Sequence, residues 1–139
     1  MRDTIIKNMN ARFDAWLDLA NSIDEGLVKQ ELPVEKNKSL KVHFWCVVGA
    51  RESYTKSLEE GAWAGFSCSL DVYSPEGVAA KLQASAQAFN KVVNDIDDWT
   101  TDREELLASL AEHETMHEGQ VIRLIYGLGH TLPPSWKWA

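Results

Sequence analysis

The stretch His113-Glu114-Thr115-Met116-His117-Glu118-Gly119-Gln120 sets two imidazoles four residues apart, among two carboxylates and a carboxamide. On a helix, residues four apart project side by side, so both rings can reach one metal ion. Leu106, Leu110, His113, His117, Gln120 and Leu124 follow a 3-4 spacing, so an apolar seam becomes His-His-Gln and returns to leucine. A buried imidazole without a partner costs about 1–3 kcal/mol, and a metal ion shared by both rings removes that cost. Of the two other histidines, His43 lies beside Phe44 and Val47, on or next to an apolar stripe, whereas His130 lies beyond Gly127 and Gly129. His43, His113 and His117 are therefore the expected metal ligands. Three protein ligands with open positions are the pattern of a catalytic site. Zn, Ni and Mn all accept imidazole, so the residues do not choose among them. Glu114 and Gln120 are the secondary candidates, orienting ligands or substrate. Glu114 could also act as a base, but the usual exposure of Glu makes a solvated helix residue the simpler reading. Cys46, one turn after His43, could be a soft ligand and reads better as a small buried hydrophobe.

The same residues match the H-E-x-x-H pattern of zinc proteases, and that reading fails on context. The extended form needs glycine and a third histidine as H-E-x-x-H-x-x-G-x-x-H. Here Gly119 comes one place early, His130 lies too far on, and no acid follows Glu118. No strand upstream would hold an extended peptide.

Four amphipathic segments must carry these residues. The first runs from about Asp3 to Gly26, with Ile6, Met9, Phe13, Trp16, Ala20, Ile23 and Leu27 on one stripe. The second runs from about Ser39 to Glu60; Leu40, Phe44, Val47, Tyr54 and Leu58 share a face that Arg51 interrupts. The third opens with Ser74 as cap and Pro75 at the first helical position, and its stripe reaches Trp99. The fourth opens on an expected Thr101–Glu104 capping box and runs to about Tyr126 before Gly127, Gly129 and Pro133-Pro134. No segment alternates convincingly with period two. The expectation is one all-α domain over residues 1–139, a four-helix up-and-down bundle with a long connection between helices 2 and 3. Trp63, Phe66 and Tyr73 in that connection could wall a pocket.

The chain has 139 residues, the length of a single domain with one core. Net charge is −7, from 14 basic and 21 acidic residues, which disfavours nucleic acid and anionic membranes as partners. No apolar run approaches the roughly 18 residues of a membrane span, and the opening residues do not read as a signal peptide. Two cysteines do not make a disulfide framework. A cytoplasmic location is the expectation. A second apolar line on the fourth segment, Leu107, Ala111, Val121, Ile125 and Leu128, and the tryptophans of the tail point to a homodimer.

Two stretches resemble the DinB/YfiT-like family of metalloenzymes: "SLKVHFWCVVGARESY", with a histidine early in the second helix, and "LAEHETMHEGQVIRLIYGLGHTLPP", with the H-x-x-x-H-x-G-Q signature. Glu118 stands where family members often have Arg, a change of local charge and not of ligands. The resemblance spans essentially the whole chain. It implies a four-helix bundle, commonly a homodimer, with a divalent metal held by residues matching His43, His113 and His117. It further implies a metal-dependent reaction of a small-molecule substrate, most plausibly transfer involving a low-molecular-weight thiol, with hydrolysis as a related possibility. The alternative is a non-catalytic metal-binding dimer that senses, stores or scaffolds. A closed fourth ligand would favour that module; an open position beside a pocket would favour the enzyme.

Overall fold

A computed structural model describes all of residues 1–139. It is all-helical: α1 (Arg2–Ser22), α2 (Leu40–Glu60), α3 (Pro75–Asp95) and α4 (Thr101–Gly127), with a short 3-10 turn at Glu25–Lys29 between α1 and α2. No helix is long and apolar enough to cross a membrane. The stripes of the sequence form two stacked layers of core. Trp16, Leu19, Leu40, Phe44, Val47, Val78, Leu82, Val121 and Leu124 fill one layer. Met9, Phe13, Leu58, Phe89, Val93, Leu107 and Leu110 fill the other, where Phe13 meets Phe89 edge-on at 5.2 Å.

The ends of the helices differ from expectation in instructive ways. Ser74 caps α3 as expected, its Oγ accepting from the Gly77 N–H at 3.1 Å. At α4 the cap is Thr100, whose Oγ1 accepts from the Arg103 N–H at 3.3 Å, so the Thr101–Glu104 capping box does not form. The chain is still extended at Thr100 and already helical at Thr101, which moves the cap back one residue. α1 stops at Ser22, and Leu27 enters the core from the 3-10 turn. α3 stops at Asp95, and Ile96 and Trp99 pack on the core from the connection that follows.

The direction of the helices is the main departure. α2 and α4 run antiparallel, since His43 meets His117 while Arg103 donates to the Leu58 carbonyl at the opposite end. α1 and α4 run parallel, with Arg2 beside Glu104 and Arg12 beside Glu118. α2 and α3 are also parallel: their first halves share one core layer and their second halves the other. The bundle is therefore up-down-down-up, and α1 lies diagonally across from α2, in place of simple up-and-down alternation. Parallel neighbours need a crossover as long as the bundle, which is why the 61–74 connection is long. It runs back along α2, held by backbone N–H groups of Ala64 and Ser67 donating to the Oγ atoms of Ser57 and Ser53 at 3.0 and 2.9 Å. Gly49 permits this contact, because a Cβ there would stand 2.5 Å from the Phe66 ring.

The tail folds back on its own chain. Trp136 is buried, packs edge-on against Trp16 at 5.2 Å, and donates its indole N–H to the Ala15 carbonyl at 2.8 Å. Leu107, Val121 and Ile125 of the second apolar line are likewise buried within the bundle. The features that pointed to a homodimer are thus largely absorbed by one chain; Trp138 alone of the tail tryptophans stays exposed, at 80%.

Candidate metal centre

Antiparallel packing of α2 on α4 brings the start of one helix to the later half of the other, and two histidines meet there. His43 and His117 are 1% and 4% exposed, with their Nδ1 atoms 2.9 Å apart. A contact that close requires one Nδ1 to carry a proton and the other a lone pair. Burial makes both rings poor bases. It lowers the pKa of His43 to about 4, aided by the charge of Lys38, and that of His117 to about 3, aided by His113, His43 and Lys38. Both are therefore neutral at neutral pH, the form that a metal ligand must take. His113 stacks on His117 with ring centroids 4.5 Å apart. Burial lowers its pKa against the pull of Glu114, and its Nδ1 is buried with no hydrogen-bond partner.

Two imidazole nitrogens on one ion, each at about 2.0–2.1 Å, stand roughly 3.0–3.4 Å apart. The His43–His117 pair needs only slight opening to reach that separation. The three rings do not form a finished three-donor group as they stand. His113 and His117 lie tilted by 55° against each other on one helix, and His113 has to turn to bring a nitrogen to the same point. Its orphaned Nδ1 is a buried polar atom that such a ligand would satisfy. The residues fit a divalent ion on these grounds.

Glu114 departs furthest from the sequence reading. It is fully buried, and its two oxygens accept from Arg51 Nε at 2.6 Å and Nη2 at 3.1 Å. The buried stripe of α4 runs Leu107, Leu110, Glu114, His117, Val121 and Leu124, one position away from the expected seam at its first, third and fifth members. His113 therefore flanks the stripe and Glu114 occupies its centre. With both oxygens committed to a guanidinium, Glu114 is not a free base. It ties α4 to α2 next to His113 and about one turn before His117, which makes it a positioning residue. Arg51, an interruption of an apolar face in the sequence, is 0% exposed and lies over the Phe13 ring at 4.2 Å. A second ion pair joins Arg12 of α1 to Glu118. Burial pushes the Glu118 carboxyl up to about 7 against the pull of Arg12, and its Oε1 has no partner.

Gln120 is exposed and not part of the core seam. It lines an open cleft of about 650 Å³, with His43 on one wall and Thr115 and Gly119 beside it. Trp63, Phe66 and Tyr73 do not line that cleft: Trp63 packs on Tyr54 and Phe66 on Trp45, outside α2. Cys46 is half-buried, its thiol pushed up by burial, and His130 is exposed in the tail. Sequence reasoning missed the Arg51–Glu114 pair, although opposite charges at interrupting positions on two facing helices were a usable signal. No protein-family model matches the chain, and no curated protein matches it.

Proposed function

We propose that the chain is a divalent-metal-dependent enzyme acting on a small molecule, of the DinB-like kind that its two motifs resemble, with thiol-dependent S-transfer as its reaction. His43, His113 and His117 would hold the ion. The observation that carries this reading is the contact of His43 with His117 across two helices, beneath a cleft open to solvent. A bound ion would supply Lewis acidity, which lowers the pKa of a coordinated thiol or water. The chain's own residues do the rest. Burial keeps the imidazoles neutral, and the Arg51–Glu114 pair sets α4 against α2 so that the rings of one helix face the ring of the other. The 650 Å³ cleft is of the size that admits a small molecule. Gln120 stands at its edge as a hydrogen-bonding group for substrate. An open cleft lined by His43 favours this reading over a closed, non-catalytic metal module.

The test begins with metal analysis of the purified protein and a chelator titration. Ligand that binds only the folded chain stabilises it by about 2.7 kcal/mol at a hundredfold excess over Kd. Chelation should lower the melting temperature of the wild type and leave that of His113→Ala nearly unchanged. Equal shifts in both proteins would remove the site. A panel of low-molecular-weight thiols with electrophilic acceptors, run on the zinc-, nickel- and manganese-loaded protein, then tests the transfer.

A further inference from the structure

The cleft over His43 carries a charge pattern opposite to that of the whole chain. Net charge is −7, yet three cations, Lys36, Lys38 and Arg123, line this one cleft, with Glu35 as its sole acid. None of the three takes part in an ion pair: the pairs of the protein are Arg2–Glu104, Arg12–Glu118, Arg51–Glu114, Lys56–Glu60 and Lys91–Asp95. The cations come from two elements, the segment before α2 and the last turns of α4, so they face one another across the opening.

The segment bearing the lysines is held in shape. Lys36 adopts a left-handed backbone with φ of 62°, a conformation uncommon for a residue with a side chain. Asn37 closes the turn, its Oδ1 accepting from the Leu32 N–H at 2.8 Å. That leaves the carboxamide N–H₂ of Asn37 free to donate toward the cleft it lines. Gln120 adds a second carboxamide. Unpaired ammonium and guanidinium groups around a concave site, with neutral donors between them, form a receptor for a compact oxyanion.

We infer that this cleft binds the carboxylate or phosphate group of a small anionic substrate, held by Lys36, Lys38 and Arg123 beside His43. This names the substrate class of the site proposed above and rests on that reading for its catalytic meaning. The binding itself requires no metal. One oxyanion end sits among the cations, and the remainder of the substrate extends toward the histidines. Glu35 opposes the anion and sets an upper limit on its charge.

Succinate and inorganic phosphate serve as probes, each titrated by calorimetry into metal-free wild type and into the zinc-loaded protein. At least one should bind in the millimolar range or tighter, and more weakly as salt rises. Lys38→Ala/Arg123→Ala should weaken that binding by about tenfold or more, the change that 1.4 kcal/mol produces. Glu35→Gln should tighten it, and Lys7→Ala, on the remote part of α1, should not change it. All four positions are exposed, so the variants should keep the wild-type melting temperature. The two probes separate a carboxylate from a phosphate preference. Equal affinity of wild type and the double variant, or binding of neither probe by the wild type, overturns the inference. Zinc binding is measured in parallel. Its loss in His113→Ala, a ligand position that does not line the cleft, with anion binding retained is the expected result. A wild type that binds the anion and no metal would defeat the metal reading while leaving the anion site standing.

Discussion

At the scale of residues, two buried features carry opposite risks. Arg51 and Glu114 are both fully buried and joined by two hydrogen bonds, which leave only Arg51 Nη1 without a partner. Removing one leaves the other as an uncompensated charge in the core, a loss of about 3–5 kcal/mol. Glu114→Ala should therefore lower the urea midpoint sharply. The double change Arg51→Met/Glu114→Leu should cost less than either single loss, and an additive double variant would show that the pair is not coupled. The histidines set a pH dependence. His43 and His117 have folded pKa values near 4 and 3, below the ordinary 6.5 of the unfolded chain. Protonation therefore favours unfolding. The metal-free protein should hold its stability above pH 6.5 and lose it as pH falls through 6 and 5 toward those folded values. Glu118 works the other way, since a carboxyl raised to about 7 destabilises the fold when ionised and is relieved by acid. Urea midpoints measured from pH 7.5 to 4 should fall more steeply in wild type than in His43→Asn/His117→Asn. Parallel curves would mean that the rings are not held neutral by burial.

At the scale of elements, the 61–74 connection decides how α2 and α3 can be parallel. It lies on α2 through Ser53 and Ser57 and through the bare backbone at Gly49. A side chain at Gly49 would push against the Phe66 ring and the Cys68 Cβ, which stand 2.5 and 2.9 Å from the position of an added Cβ. Gly49→Val should lift the connection and destabilise the protein by about 1–3 kcal/mol, the usual cost of overpacking. Chymotrypsin should then cut near Trp63 and Phe66 faster than in wild type. Unchanged cleavage would show that the connection is not seated through this glycine.

At the scale of the whole molecule, the tail is a structural part of the bundle. Trp136 fills the space beside Trp16 and reaches the Ala15 carbonyl, while Trp138 is 80% exposed. Trp136→Ala should cost about 3–5 kcal/mol, as loss of a buried aromatic does. Trp138→Ala should stay within about 0.5 kcal/mol, as for an exposed position without partners. Denaturation of the two variants side by side separates a tail that packs on its own chain from one whose tryptophans serve an interface. Similar losses in both would restore the interface reading.

The four helices were legible in the chain because 3-4 spacing of apolar residues is a local property, and so was the Ser74-Pro75 start of α3. His43, His113 and His117 could be singled out from types and spacing, and the fold places His43 against His117. Helix direction was not local. It depends on whether the 61–74 segment reverses the chain or carries it the length of the bundle, and turn chemistry alone does not decide that. The faces of α4 were read one residue off, because the Glu114 carboxylate looks solvated until Arg51 from another helix stands opposite it. The cation cleft was equally hidden: Arg123 is far in sequence from Lys36 and Lys38, and only the antiparallel packing of α2 on α4 brings them to one opening. Periodicity reports which face of a helix is buried, whereas which faces meet is set by the summed packing of all four helices.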